Sequence, residues 1–595
     1  MKIDKLNRLV TQLSSSKNKI IFSAVSILAI HCLYLIHTLG VNIPQADELD
    51  FIPFAKTFLD GGPWWQDKHF LQHYDHRLII PGLILLVSVA LSDWNIIYQM
   101  YLGWSFITVS IIVIYALLKK TDGKLTWLTI PIAAIMFNAG QYGAFLWGLA
   151  AIIFFLTSAT IILTVYFINK IDHNKIALIP AILFAVIASF TQFYGLLVWV
   201  IGVFGLLYLE KTKKPSLMLW IASGIVVISL YYTNYVHNSW KGIQFPTLFT
   251  YDGIEYILLF LSNGLIVHLR QLLALQMVIS TGIILLVIGT PIYLTFKKTE
   301  IKKIVPWIQL GLFGLFAAVI TELGRLGVVG PVASRYMAIS VIPQIAAVVI
   351  GTIIFLRIYD RLTNNHRKSL AKILFSILIS IIILGISSSY YSGWKNGYDW
   401  FLQNSISYEC LRNPSFDLKC RNIFETETQY ENLKMLREAH LSTFADTNTL
   451  NNNSNDPLLK DENWKSMMYE QDGLGSVTYI NSKLTDFKPL TPKIYVNRTE
   501  SPIDIGGWGI FTKKDVEVDS VYVFVDHQVN TQAYYGYLNY EHKMVEEKTK
   551  SAVFSGWGGV IVLNKLSDEC HDISVRITHE MKYYEITTDS QICIS

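Results

Sequence analysis

The sequence predicts a polytopic α-helical membrane protein of about eleven spans, followed by an exported C-terminal α/β region that ends in a β-sandwich. Three observations carry this expectation. The chain has 595 residues, of which 52% are hydrophobic and only 16% charged, against about 25% charged in soluble proteins. Its apolar runs succeed one another from residue 20 to 390 and then stop. The basic residues cluster in alternate connectors between those runs, as cytoplasmic loops do. The division expected is a membrane domain over 1–390, an exported connector over 391–495 and a β-sandwich over 496–595.

Lys2, Lys5, Arg8, Lys17 and Lys19 precede the apolar run Ile20 to Leu39. Its length, about 20 residues, suits a span better than a signal peptide core, and an uncleaved anchor with a cytoplasmic N-terminus is expected. The basic connectors are Lys119, Lys120 and Lys124; Lys170 and Lys175; Lys211, Lys213 and Lys214; Lys297, Lys298, Lys302 and Lys303; and Arg357, Arg361, Arg367 and Lys368. With all of these inside, the stretches 41–77, 138–145, 190–195, 237–250 and 324–336 face out, and so does the C-terminal region. Two runs, 78–92 and 251–267, are too short for the hydrocarbon core and are expected at the outer interface. The small net charge of +4 follows from loop placement, and no nucleic-acid partner is implied.

Beyond Ser389 the chain turns polar. The Asn-rich stretch 451–455 reads as a flexible connector. Val521 to Val525, Gly559 to Leu563 and Ile573 to Ile577 read as strands. The stretches Gly506-Gly507-Trp508-Gly509 and Gly556-Trp557-Gly558-Gly559 are expected at turns of the sandwich, with aromatic packing or carbohydrate stacking as their alternatives. Four of the five cysteines lie in this region. In an oxidising compartment Cys410 and Cys420 form the natural local pair, with other pairings open.

The densest polar cluster is the first outer loop. It opens with Gln45-Ala46-Asp47-Glu48-Leu49-Asp50 and closes with His73-Tyr74-Asp75-His76-Arg77. A carboxylate there could act as a general base and a neighbouring cation could hold phosphate; a solvated loop with interfacial anchors is the alternative. The stretch 324–336 adds Arg325, Arg335 and Tyr336, two arginines placed against the positive-inside tendency. A guanidinium at an apolar boundary needs an anion, and phosphate matches its fork. Glu322 is a second candidate counter-ion for Arg325. Gln141 and Trp147 are further outer polar positions. The zinc-protease, Walker and dinucleotide-binding motifs do not occur in the sequence.

These motifs, taken in order and with their sidedness, resemble the GT-C class of membrane glycosyltransferases, which includes protein mannosyltransferases and aminoarabinose transferases. In that class an acidic motif follows the first membrane helix, where Asp47-Glu48 stands. His76-Arg77 with Pro81, Leu146-Trp147-Gly148, Gly195 to Trp199, Gly324-Arg325 and Ser334-Arg335-Tyr336 resemble a group of bacterial multi-pass proteins of the same kind. The resemblance covers residues 40–340 and departs from the best-known members in its β-rich tail. It implies a polyprenyl-phosphate sugar donor and transfer on the outer face of the plasma membrane to an envelope glycan such as O-antigen or a teichoic acid. A donor synthase and a flippase would be partners. Asp47 would be the base, Glu48 or Asp50 would position the acceptor, and His76, Arg77, Arg325, Arg335 and Tyr336 would hold the leaving phosphate. His73, Asp75, Gln141 and Trp147 would position substrate. A metal is not required where arginines supply the charge, although the acidic cluster could hold a divalent ion. The rivals are a polysaccharide polymerase, whose large outer loop would lie mid-chain, and a transporter or flippase, which would show internal repeats and mid-membrane charges.

Overall fold

The computed structural model describes residues 2–209, 214–236, 245–265, 272–295, 301–412, 427–445, 468–469, 473–480, 493–496, 503–511, 520–526, 528–535, 556–561, 566–579 and 582–594. The chain divides into two compact units. One comprises Met1–Gly40 and Pro44–Tyr398, and the other Val41–Ile43 and Asp399–Ser595.

The first unit is a helical bundle. Among the described residues eight helices are long and apolar enough to cross a membrane: Ser16–Leu39, Ile96–Thr121, Gly148–Ile168, Lys214–Tyr232, Leu273–Ile292, Lys302–Arg325, Ser334–Arg361 and Asn365–Ser405. Four shorter apolar helices, Ile79–Ser92, Gly123–Met136, Lys175–Ser189 and Phe193–Tyr208, accompany them. The first coincides with the run 78–92 expected at the interface. Phe22, Leu91, Ile225 and Leu384 are 74%, 82%, 61% and 69% exposed. Water would penalise so wide an apolar surface, and lipid would not, so these faces mark a membrane-facing girdle.

Inside the bundle, helices meet through small residues and through polar side chains that find partners on the next helix, as expected where the surroundings offer no water. Asn169 donates to Gln309 at 2.8 Å, and Gln309 donates to the Ile201 carbonyl at 3.0 Å. The Trp220 indole donates to the Trp199 carbonyl at 3.0 Å, and the Trp199 indole to Ser189 Oγ at 3.0 Å. Gly202 makes room for Trp220: a Cβ there would lie 2.2 Å from the indole.

The Gly148–Ile168 span is not a uniform helix. Gly148–Ala150 is α-helical, Ala151–Phe155 is a π-turn, and Leu156–Ile168 returns to α. Such widened turns rotate the side chains that precede them and occur often beside functional sites.

In the second unit nine strands occur among the described residues: β1 Met468–Tyr469, β2 Gly473–Ile480, β3 Lys493–Val496, β4 Ile503–Phe511, β5 Ser520–Val525, β6 Gln528–Tyr535, β7 Gly556–Ile561, β8 Cys570–His579 and β9 Lys582–Ile594. The expected sandwich is, by strand pairing, one continuous sheet in the order β1-β9-β8-β5-β6-β7-β4-β2, with β3 also on β9. Strand β6 joins its halves by pairing with both β5 and β7. The sheet is antiparallel except for β1 and β3, which run parallel to β9. These two and β2 lie at or before the expected boundary at 496, so the sheet draws on residues from both sides of it.

Alternation places Val521, Val523 and Val525 with Ile573, Val575 and Ile577 in one core. On the other face the Arg576 guanidinium covers Phe524 at 4.0 Å and Tyr583 at 4.8 Å. The two Gly-Trp-Gly stretches are strands, not turns. They pair antiparallel, Gly507 opposite Trp557 and Trp508 opposite Gly556. A disulfide joins Cys570 and Cys593 across β8 and β9. The expected Cys410–Cys420 pair and the Asn-rich connector fall outside the described residues, except the backbone of Cys410, which ends the Asn365–Arg412 helix. Cys32 is buried and free.

Candidate functional site

The four polar stretches singled out in the sequence are held together through specific contacts. The first begins with Ala46–Phe51, a 3-10 helix that Gln45 precedes. Glu48 is fully buried. One of its carboxylate oxygens accepts from the Gln45 amide at 2.7 Å and the other from the Leu149 amide at 2.5 Å. The Gln45 side chain donates in turn to the Leu146 carbonyl at 3.3 Å. Gln45 and Glu48 thus clamp the Leu146-Trp147-Gly148 motif, and Glu48 caps one free N–H, that of Leu149, of the span that begins there. Burial pushes the Glu48 carboxyl up to about 8, against the two amides that pull it down. Glu48 therefore caps this helix. Asp47, beside it, is half-buried and makes no hydrogen bond or ion pair among the described residues.

At the far end of the loop, residues 73–76 form a tight turn in which His73 and His76 exchange backbone hydrogen bonds of 2.9 Å. Tyr74 takes φ +49° within it, a left-handed conformation that a bulky side chain adopts rarely. His73 is buried, and its Nε2 lies 3.1 Å from Asp50 Oδ2. His69 joins this pair: Asp50, His69 and His73 each offer a ligand atom within 4.8 Å of the others. The Asp75 carboxylate faces Tyr235, and the Asp75 carbonyl accepts from the Tyr235 hydroxyl at 3.1 Å.

Two residues expected to neutralise phosphate do other work. Arg77 is buried, and its guanidinium donates to the carbonyls of Leu71 at 2.7 Å, Tyr231 at 3.1 Å and Thr233 at 2.5 Å. That fork ties the loop to the end of the Lys214–Tyr232 helix. His76 is held down to about 3 by burial first, then by Arg325 and His73. It is a neutral imidazole at physiological pH, and its Nδ1 is buried without a partner.

The other two arginines stand beside aromatic side chains. The Arg335 guanidinium lies over the Trp147 ring at 5.6 Å and over Tyr336 at 5.5 Å. Ser334 packs so closely on Gly143 that a Cβ there would lie 2.2 Å from its hydroxyl. Arg325 interacts electrostatically with His76, Tyr194 and Tyr256. Neither arginine forms an ion pair among the described residues. Glu322, a candidate counter-ion, is fully buried, and both its oxygens lack a hydrogen-bond partner. The Trp147 indole nitrogen and Gln192 Oε1 are likewise buried and unpartnered. Orphaned polar atoms in native interiors call for an explanation, and a bound polar ligand is one.

The Gln141 side-chain amide donates to the Met136 carbonyl at 2.7 Å, closing the end of the preceding helix. The sequence reading missed His69, whose signal is its spacing of four from His73, and gave Glu322 only the role of a counter-ion. Compared with protein-family models, curated proteins and solved structures, the chain finds no match.

Proposed function

We propose that this protein is an integral-membrane glycosyltransferase of GT-C type, moving a sugar from polyprenyl phosphate to a cell-envelope glycan on the extracytoplasmic face. The observation that carries this reading is Arg335, which forms no ion pair among the described residues, lying over Trp147, whose span is clamped by the acidic motif, with Arg325 acting electrostatically on His76 of the same loop. The eight long apolar helices are compatible with a lipid-linked donor, and the basic connectors support an inward N-terminus and an outward C-terminal region.

In this mechanism Asp47 takes the proton of the acceptor hydroxyl. The acceptor oxygen attacks the anomeric carbon as the bond from that carbon to the phosphate oxygen breaks. Charge grows on the departing polyprenyl phosphate, and the two guanidiniums neutralise it where water cannot. Trp147 offers an aromatic face to the sugar. Neutral His76 donates a hydrogen bond instead of a charge. A single displacement inverts the anomeric centre.

The test is Asp47→Asn beside Arg335→Ala, in a strain lacking the native copy, read by mass spectrometry of surface glycans at equal membrane abundance. Loss of one sugar mass in both variants supports the assignment and names the sugar. An unchanged glycan in both removes these residues from any site and moves the transporter reading ahead.

A further inference from the structure

The first outer loop contains a residue set whose chemistry is unlike the carboxylate and guanidinium groups of the proposed transfer. We propose that Asp50, His69 and His73 bind a zinc ion, with a fourth coordination position left to water. All three offer a ligand atom, and these atoms lie within 4.8 Å of one another. His73 Nε2 and Asp50 Oδ2 are already 3.1 Å apart. Two ligands on tetrahedral zinc, with bonds near 2.0–2.2 Å, lie roughly 3.3 Å apart. The third atom, on His69, lies within 4.8 Å of the other two and has to close on them when the ion binds.

The surroundings hold these side chains in place. The Asp67 carboxylate accepts from the amides of His69 at 2.8 Å and Phe70 at 3.1 Å, which sets the short Lys68–Leu71 helix that carries His69. His73 is 2% exposed, and its ring packs on Phe51 at 5.2 Å and Tyr74 at 4.5 Å. Asp50 keeps 17% exposure, which leaves a path for the ion and for a water ligand. Two imidazoles and one carboxylate suit zinc rather than calcium or magnesium, which prefer all-oxygen sets. Three protein ligands with one open position is the zinc arrangement that keeps a water. A hydrogen-bonded Asp50–His73 pair without metal leaves His69 only a ring contact with His73 at 5.7 Å, so loss of bound metal in a His69 variant separates the two explanations.

The experiment uses the full-length chain, purified in detergent without a polyhistidine tag, stripped with EDTA and then supplied with zinc. After gel filtration, elemental mass spectrometry is expected to find about one zinc per chain. Cobalt in place of zinc is expected to give visible ligand-field absorption. His69→Gln and Asp50→Asn should each lose at least nine-tenths of the bound metal and the cobalt spectrum, with metal-free melting and elution profiles like those of the wild type. A wild type that holds no metal, or a His69→Gln chain that still holds a full equivalent, overturns the proposal. Metal content is read without any sugar transfer, so its failure and that of the glycosyltransferase reading are distinguishable.

Discussion

Replacing Glu48 tests the clamp between the first outer loop and the Gly148–Ile168 span. Glu48→Ala leaves the Gln45 and Leu149 amides buried without acceptors. Each orphaned donor costs about 1–3 kcal/mol, so the loss should reach roughly 2–6 kcal/mol. That is a large part of a typical stability of about 5–15 kcal/mol. Glu48→Gln keeps one acceptor oxygen and turns an NH2 toward the other amide, and should cost about half as much. The two variants also differ from the wild type in pH dependence. Burial pushes the Glu48 carboxyl up to about 8 in the folded chain, against 4.5 for an ordinary glutamate. Between these values the folded state binds a proton that the unfolded state has lost, so wild-type stability falls as pH rises through that window. The slope is at most about 1.4 kcal/mol per pH unit. Apparent melting temperature in detergent from pH 5 to 9 reads this directly. The expected outcome is a wild-type decline that levels off above pH 8 and is absent in Glu48→Gln. An identical pH profile in the two chains would refute the assignment of a buried, proton-holding Glu48.

Other outcomes follow from the same contacts. Gly148→Ala should destabilise the protein by about 1–3 kcal/mol, despite alanine's helical preference, because its Cβ would lie 2.6 Å from Gln99 Oε1 and 3.0 Å from Glu48 Oε1; thermal melting checks this. Arg77→Lys should lose two of the three carbonyl contacts and lower stability by about 2–4 kcal/mol, since an ammonium cannot span them; unchanged melting with lost transfer would instead make Arg77 a phosphate ligand. In the sheet, burial lowers the pKa of His571, but the Asp526 carboxylate at 2.6 Å and the Ser567 carbonyl outweigh it and raise the ring above its ordinary value. That pair stabilises fully below the unfolded pKa and is lost as pH rises through the folded one. Asp526→Asn should bring the His571 titration down in pH, which proton NMR of the imidazole reads.

Much of the fold was legible because it rests on composition. Apolar runs such as Ile96–Thr121 and Leu273–Ile292 need only length and hydropathy to be seen. The strands around Val523 and Val575 show by alternation. The Gly-Trp-Gly stretches misled, because glycine reads as a turn residue, whereas here two glycine-rich strands pair with each other. The site was legible in its residues but not in their duties. Arg77 and Arg335 look alike in sequence, and what separates them is where the acceptors lie. Those of Arg77 are main-chain carbonyls, one at Leu71 and two on a helix end more than 150 positions away, which no side-chain pattern announces. Glu48 is the same case, its partner being the backbone of Leu149.

The distances along the chain between these partners also order events during synthesis. Glu48 meets Leu149 across 101 positions, and Arg77 meets Tyr231 and Thr233 across 154 and 156. At roughly 5–20 residues per second, the ribosome needs on the order of 5–20 s to supply the first partner and longer for the second. Until then Glu48 and Arg77 lack these partners, and the contacts that tie the loop to the later helices are unmade. The nascent chain thus completes its first helices well before its first loop, and a quality-control factor that senses an open loop would find it open until translation has passed Thr233.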